Sequence, residues 1–338
     1  METSINNQAQ ANDRSWQKVI MKYNQPDLRK SIWQICNSVI PTFILWYLMV
    51  QSLQVSYLLT LFLILITSGF LVRTFIIFHD CGHGSFFKSK KANNIVGIIC
   101  GIIAFTPYYT WHRHHSEHHA TTVNLDKRGM GDVWTMTVEE YLNSSLGTRF
   151  FYRAFRNPFV MFTVGPLYMF LILNRFSNKK MTPKERWNIY FTNIILFLLA
   201  AAMSIVIGVK AFLLIELPLL FVAHAIGLWL FYIQHQFEDV SWDRSGDWDY
   251  KTAAIQGSSF LKLPVILQWF TGNIGFHHVH HLSPRIPNYN LARCQNENDL
   301  FKDVKPINLR STFKALKLSL WDEASRQLVR FRKITTTS

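Results

Sequence analysis

Long apolar segments separated by basic residues dominate the pattern of this chain. Residues 31–72 form a run of 42 residues without a charged side chain, whereas one membrane span needs about 20 apolar residues. The run predicts a transmembrane hairpin with helices near residues 33–50 and 55–72. Residues 187–209 and 211–234 repeat the pattern and predict a second hairpin.

Three other apolar segments are predicted to enter the membrane surface without crossing it. Residues 94–105 have the length of a re-entrant segment, which is about 10 to 14 residues. Residues 158–173 are longer, but basic residues flank both ends and the Gly165-Pro166 pair interrupts the middle. Residues 259–273 are typical of an interfacial helix. The pattern therefore predicts an all-α integral membrane protein with four transmembrane helices in two hairpins, plus re-entrant and interfacial helices.

The two ends of the chain are more polar than the middle. Residues 1–30 are predicted to be a polar cytoplasmic lead, in which residues 1–18 have no fixed structure, and residues 31–295 a membrane-embedded domain. Residues 296–338 are predicted to be a cytoplasmic tail that forms an amphipathic helix, either packed on the cytoplasmic cap or lying on lipid. The helix prediction rests on the apolar residues Phe313, Leu316, Leu320 and Trp321.

Histidine is concentrated in three short boxes. Eleven of the 13 histidines lie in HDCGH (residues 79–83), WHRHHSEHHA (111–120) and HHVHH (277–281). A helix brings positions i, i+3 and i+4 onto one face, so each box can aim its rings to one side. The eight candidate ligands are His79, His83, His115, His118, His119, His277, His280 and His281.

Eight imidazoles are too many for one metal ion. A zinc site takes four ligands when it is structural and three plus water when it is catalytic. The spacing therefore favours two metal ions in a cap on the membrane domain. Imidazole binds iron, zinc, copper and nickel, so the ligand type alone leaves the metal open.

Basic residues predict the side of the membrane on which this cap lies. Lys88, Lys90 and Lys91 follow the second span, and short loops rich in lysine and arginine remain in the cytoplasm. A helix that continues past Arg73 carries His79 about 9 Å beyond it. Four crossings then place all three boxes on the cytoplasmic side of the cell membrane. The formal net charge of +14 favours anionic headgroups and an acidic protein partner on this face.

The three boxes and their flanks resemble the membrane-bound fatty acid desaturases. The resemblance extends to NLDKRG and GDVWTMTVEEY after the second box, IQHQFED before the third, and GNIGFHHVHHLSPRIPNYNL around the third. It covers residues 31–332 and is strongest to bacterial acyl-lipid desaturases of the phospholipid delta-5 type.

The resemblance implies a di-iron site that uses O2 and two electrons to remove two hydrogens from adjacent methylenes of a phospholipid acyl chain. It also implies ferredoxin or flavodoxin as the electron donor, and no nucleic acid partner. His235 matches a ninth histidine ligand of the family. Phe231 occupies the place of an asparagine that holds a water ligand in some relatives, and Asn273 is only a loose substitute for it.

Iron is the metal that this chemistry favours, because zinc has no redox chemistry. Metal-bound histidines usually donate their second ring nitrogen to a carboxylate or carbonyl. The candidates for this role are close to the boxes in sequence: Asp80, Glu117, Asp126, Glu238, Asp239 and Asn273.

Two other functions remain open from the sequence. A membrane di-iron hydroxylase of the same superfamily would use the same histidines, and the flanking resemblance favours the desaturase over it. A metal-ion transporter would place its ligands near the middle of the bilayer, whereas eleven histidines lie outside the predicted spans.

Overall fold

A computed structural model describes residues 15–129 and 132–334 of the chain. The helices are α1 (Ser15–Met21), α2 (Leu28–Ser52), α3 (Tyr57–His83), α4 (Lys90–Ile103), α5 (Tyr108–Thr121), α6 (Val138–Leu142), α7 (Leu146–Phe155), α8 (Pro158–Leu171), α9 (Pro183–Ile207), α10 (Val209–His235), α11 (Tyr250–Gln256), α12 (Val265–Phe270), α13 (His277–Leu282), α14 (Asn288–Asn296), α15 (Leu309–Ala315) and α16 (Phe331–Ile334). Short 3-10 turns follow at Leu173–Arg175 and Asp299–Phe301. The helical architecture expected from the sequence is confirmed.

Two helical hairpins form the membrane domain. The first is α2 and α3, and the second is α9 and α10, joined at Gly208, whose φ of +86° suits a residue without a side chain. These four helices have the length and apolar composition of membrane spans. Helix α3 runs without a break from Tyr57 through Arg73 to His83, as the sequence predicts.

A fifth segment, Pro158–Arg175, is also long and apolar enough to be a span. Its helix α8 has 14 residues and is about 21 Å long, whereas the hydrocarbon core is about 30 Å thick. Arg156, just before α8, donates a hydrogen bond to Gln236 at the end of α10. Phe170, near the end of α8, stacks on His224, which lies about 16 Å along α10 from His235. The chain then returns, because Glu185 at the start of α9 binds Arg113 of α5. These contacts support the prediction that residues 158–173 enter the membrane and return without crossing it.

Helices α4 and α5 meet at a bend of 102°. Such a bend suits the re-entrant segment that the sequence predicts for residues 94–105. Gly97 of α4 lies against the ring of Tyr108, where a Cβ atom would overlap that ring. The hydroxyl of Tyr108 donates a hydrogen bond to the carbonyl oxygen of Cys81, at 2.7 Å. The bend thus fixes α5, which carries the second histidine box, against the end of α3.

The N-terminal lead is ordered over the residues that the structure describes. Helix α1 and the turn after it bury Ile20 and Tyr23 in a cluster with Val279 of the third box. The absence of fixed structure expected for residues 1–18 is therefore wrong from Ser15 onward, because a helix begins there and is held by the buried side chains of Ile20 and Tyr23. Residues 1–14 lie outside the described part.

The C-terminal tail differs from the amphipathic helix expected for it. The helix α15 ends at Ala315, and Leu320 and Trp321 lie in a strand instead. The strands are β1 (Met136–Thr137), β2 (Phe260–Leu261), β3 (Pro306–Ile307), β4 (Leu320–Asp322) and β5 (Gln327–Val329). β4 pairs with β5 antiparallel and with β1 parallel, and β2 pairs with β3 parallel. Trp321 is buried against Val123 and Phe237, so the tail packs on the cap rather than on lipid.

Candidate metal centre

Nine histidines lie in two compact groups at the ends of the membrane helices. Within each group the facing ring nitrogens all lie within 4.8 Å of one another. The five-histidine group is His79, His83, His115, His119 and His280, and the four-histidine group is His118, His235, His277 and His281. The structure therefore brings together all nine residues that the sequence proposes as ligands.

Helix geometry distributes the first two boxes between the groups. His79 and His83 lie one turn apart at the end of α3, with ring centroids 4.7 Å apart. In α5, His115 and His119 are four residues apart and point into the five-histidine group. His118 is rotated away from them, because each residue turns the helix by about 100°, and it reaches the four-histidine group.

The third box makes the opposite division. His277 and His281, four residues apart in α13, point into the four-histidine group, whereas His280 points into the other group. His235, the last residue of α10, completes the four-histidine group. Both HxxHH boxes thus contribute to both groups, which holds the two groups at a fixed separation.

The distances between facing ring nitrogens fit a shared metal ion. Two nitrogens about 2.1 Å from one metal, at about 90° to each other, lie about 3.0 Å apart. The Nε2 atoms of the four-histidine group have this spacing: His118–His235, His277–His235 and His281–His277 are each 3.0 Å. In the five-histidine group, His119–His115 is 3.1 Å and His280–His119 is 3.0 Å.

The hydrogen bonds made by Nδ1 of His118 and of His235 indicate that a cation can bind between their Nε2 atoms. The Nδ1 atom of His118 lies 2.6 Å from a carboxylate oxygen of Asp132, and that of His235 lies 3.0 Å from the carbonyl oxygen of Gly257. Both oxygens can only accept, so each Nδ1 carries the proton and each neutral Nε2 presents a lone pair. The two lone pairs then face each other at 3.0 Å. A metal cation between them turns this repulsion into two bonds.

The rings of the third box are held in the neutral form. Burial, followed by the neighbouring histidines, lowers the pKa of His277, His280 and His281 well below the ordinary value. A neutral imidazole is the form that binds a metal. Their Nδ1 atoms have no hydrogen-bond partner within residues 15–129 and 132–334.

The two groups are neighbours within one buried centre. The ring of His119, from the five-histidine group, stacks on that of His281, from the four-histidine group, with centroids 4.0 Å apart. Trp111 stacks on His115 at 4.4 Å and covers one side of the centre. Phe231 packs on His118 at 5.4 Å and on His235 at 5.9 Å, so an apolar ring lies where the sequence resemblance implies an asparagine in some relatives.

One carboxylate proposed from the sequence contacts a ring of the centre. Asp80 accepts from Nδ1 of His79 at 3.0 Å. Its other oxygen accepts from the backbone and side-chain nitrogens of Asn288, at 2.7 and 2.8 Å. Asp80 thus orients His79 and ties the end of α3 to the start of α14.

The structure places the other candidates for this role away from the histidine rings. Glu117 pairs with Arg113, Asp126 pairs with Arg244, Asn273 hydrogen-bonds with Gln268 and Asn288, and Glu238 and Asp239 are exposed.

The sequence did not reveal the two hydrogen-bond acceptors that orient His118 and His235 in the four-histidine group. Asp132 is 14 residues from His118, and Gly257 is 22 residues from His235. Spacing along one helix cannot reveal either contact, because both partners lie in loops. The only signal is that Asp132 belongs to the flanking segment GDVWTMTVEEY.

Comparison with known proteins finds desaturases both in the family model and among the relatives. Residues 55–306 match the family model described as fatty acid desaturase. A fatty acid desaturase of Bacillus subtilis (strain 168) is 50% identical over 317 residues, which are 94% of this chain and 90% of the relative. An sn-1 oleoyl-lipid 12-desaturase of Synechocystis sp. is 29% identical over 67% of this chain and 64% of its own length. An sn-1 acyl-lipid omega-3 desaturase (ferredoxin) of Nostoc sp. is 24% identical over 88% and 82% of the two chains.

Proposed function

Because the chain belongs to the fatty acid desaturase family and is an oxidoreductase, we propose that it introduces a double bond into acyl chains of membrane phospholipids. The proposal includes two iron ions, O2 as the co-substrate, and an active site on the cytoplasmic side of the cell membrane. The observation that carries it is the pair of adjacent histidine groups at the ends of apolar helices.

The residues of the two groups suit this role. Bound iron would supply the redox chemistry that an unactivated methylene requires. The nine imidazoles would hold the ions, while Asp80, Asp132 and the Gly257 carbonyl fix the orientation of three rings. Trp111 and Phe231 pack on the rings and limit the access of water to the centre.

The proposed reaction takes one hydrogen from each of two adjacent methylene groups. The substrate, O2, two electrons and two protons yield one carbon–carbon double bond and two molecules of water. The electrons must come from outside the chain. Relatives named as ferredoxin-dependent acyl-lipid desaturases support ferredoxin as the donor and a lipid-bound acyl chain as the substrate. Flavodoxin is the alternative donor, and delta-5 is the bond position that the flanking segments favour.

Expression in a host without unsaturated lipids tests this function. Mass spectrometry should locate a new double bond at carbon 5 of phospholipid acyl chains, and the variant His281→Ala should form none. Metal analysis of the purified protein should give about two irons per chain.

Three results would contradict the proposal. Lipids that carry only a new hydroxyl group would assign the chain to the hydroxylases. A protein that binds zinc alone would exclude the redox role. Uptake of metal into proteoliposomes without any change in lipid would indicate a transporter.

A further inference from the structure

Four exposed lysines form a basic surface beside the second histidine box. We call Lys88, Lys90, Lys91 and Lys184 the lysine surface. The ammonium group of Lys184 lies 3.9 Å from the ring centre of Tyr109 in α5. In α5, burial and then the positive charges of Lys184 and Lys90 lower the pKa of the His112 ring, so charges from both parts of this surface act on the same helix. The lysines of α4 and α9 thus converge on α5.

The lysine surface adjoins the part of the metal centre that is nearest to solvent. His83 and His115 are only partly buried, whereas the rings of the four-histidine group are buried. Gly84, directly after His83, is exposed, and the space above its Cα atom is open. On the other side, Gly82 lies against Trp111 and His112. A protein that covers Gly84 beside this surface therefore lies next to His83 of the five-histidine group.

The segment that follows the four-histidine group along the chain is acidic. Residues 238–249, which follow His235, contain five carboxylates and one arginine. Arg244 is paired with Asp126 and Glu323, and Asp243 is paired with Arg326, which leaves four of the five carboxylates without an ion pair among the described residues. An acidic protein is therefore repelled from the four-histidine side and attracted to the five-histidine side.

We infer that the lysine surface is the docking site of the acidic electron-carrier protein, so that electrons enter through the five-histidine group. The inference rests on the proposed function, which requires an external donor. Charge complementarity of this kind accelerates encounter and fixes the orientation of the partner. The lysines at the start of α4 lie beside the positive end of its helix dipole. Replacement by glutamate there favours the helix, so the variants should keep the fold of α4.

A charge-reversal variant tests the docking site. The variant carries Lys88→Glu, Lys90→Glu, Lys91→Glu and Lys184→Glu, and the matched control carries Lys305→Glu, Arg310→Glu, Lys314→Glu and Lys317→Glu, which are also exposed. Both are reconstituted in nanodiscs of neutral lipid, so that anionic headgroups play no part. Rates are measured with a reduced acidic ferredoxin over a range of concentrations and ionic strengths. Metal content and single-turnover product after chemical reduction are measured in parallel.

The lysine-surface variant should lose at least about tenfold in kcat/KM for ferredoxin at low ionic strength, mainly through KM. The loss should shrink at about 1 M salt, where charges are screened within about 3 Å. Metal content and single-turnover product should remain unchanged. An unchanged KM, or an equal loss in the control variant, would overturn the inference. A wild-type protein that forms no double bond under either condition would instead refute the proposed function.

Discussion

The loss of one carboxylate, in the variant Asp132→Asn, should weaken metal binding at the four-histidine group alone. The side chain of Asp132 is buried, and its carboxylate holds Nδ1 of His118 at 2.6 Å. Asparagine keeps the shape of the side chain and removes the charge. It can also turn its NH2 group toward Nδ1, which then becomes the acceptor and moves the proton to Nε2. His118 would then lose the lone pair that faces His235.

The expected size follows from the role of such hydrogen bonds in metal sites. Removal of an outer partner of a metal-bound histidine costs about 10 to 100-fold in metal affinity, or about 1.4 to 2.8 kcal/mol. The five-histidine group does not include His118 and keeps its own partner, Asp80. In a chelator titration, the metal content should fall from about two ions per chain to about one at a chelator concentration that leaves the wild type loaded.

The control is a second carboxylate near the same loop. Asp126 pairs with Arg244 and accepts from the backbone nitrogen of Ser245, and it contacts no ring of the two groups among the described residues. Asp126→Asn should therefore retain both metal ions. Metal analysis and desaturation are measured for both variants, with size-exclusion profiles to show that each is folded. If Asp132→Asn bound metal as tightly as the wild type, or if Asp126→Asn lost as much, the tautomer argument would be refuted.

Two further predictions concern single residues. Alanine at His281 should abolish desaturation, whereas His278→Ala should retain measurable turnover, because Nε2 of His278 bonds to Gln295 at 2.6 Å and its ring belongs to neither histidine group. Product analysis checks both, and an inactive but folded His278→Ala would contradict the ligand set. Gly97→Ala should lower the thermal midpoint in detergent by an amount equivalent to about 1 to 3 kcal/mol, because its Cβ would overlap the ring of Tyr108, whereas Gly227→Ala meets no atom within 4 Å and should be tolerated.

The sequence predicts most of the membrane architecture, because long uncharged runs leave few alternatives in lipid. The two hairpins and the extension of α3 through Arg73 follow directly from such runs. The histidine spacing predicts that each box directs its rings to one side, and the four crossings predict that all boxes lie on the same side of the membrane. The spacing cannot assign the rings of each box to two groups, because that division depends on how α3, α5, α10 and α13 pack against one another.

The parts that the sequence missed depend on contacts between distant residues. Leu320 and Trp321 fit a helical spacing, but their partners in the sheet include Met136 and Thr137, far away along the chain. Ile20 and Tyr23 lie in a polar segment and are buried in a cluster of residues that are distant in sequence, including Ile76 and Val279. In each case the local sequence pattern predicted the wrong structure, because the contacts that decide it come from residues far away along the chain.

The opposed lone pairs of His118 and His235 have a consequence for the life of the protein in the cell. A chain that has reached the membrane without its ions must keep these nitrogens together against their mutual repulsion, so its cap opens more often. Opened chains are the ones that proteases remove. We therefore expect the amount of this protein to follow the supply of the metal that it binds during growth, even when its synthesis is held constant.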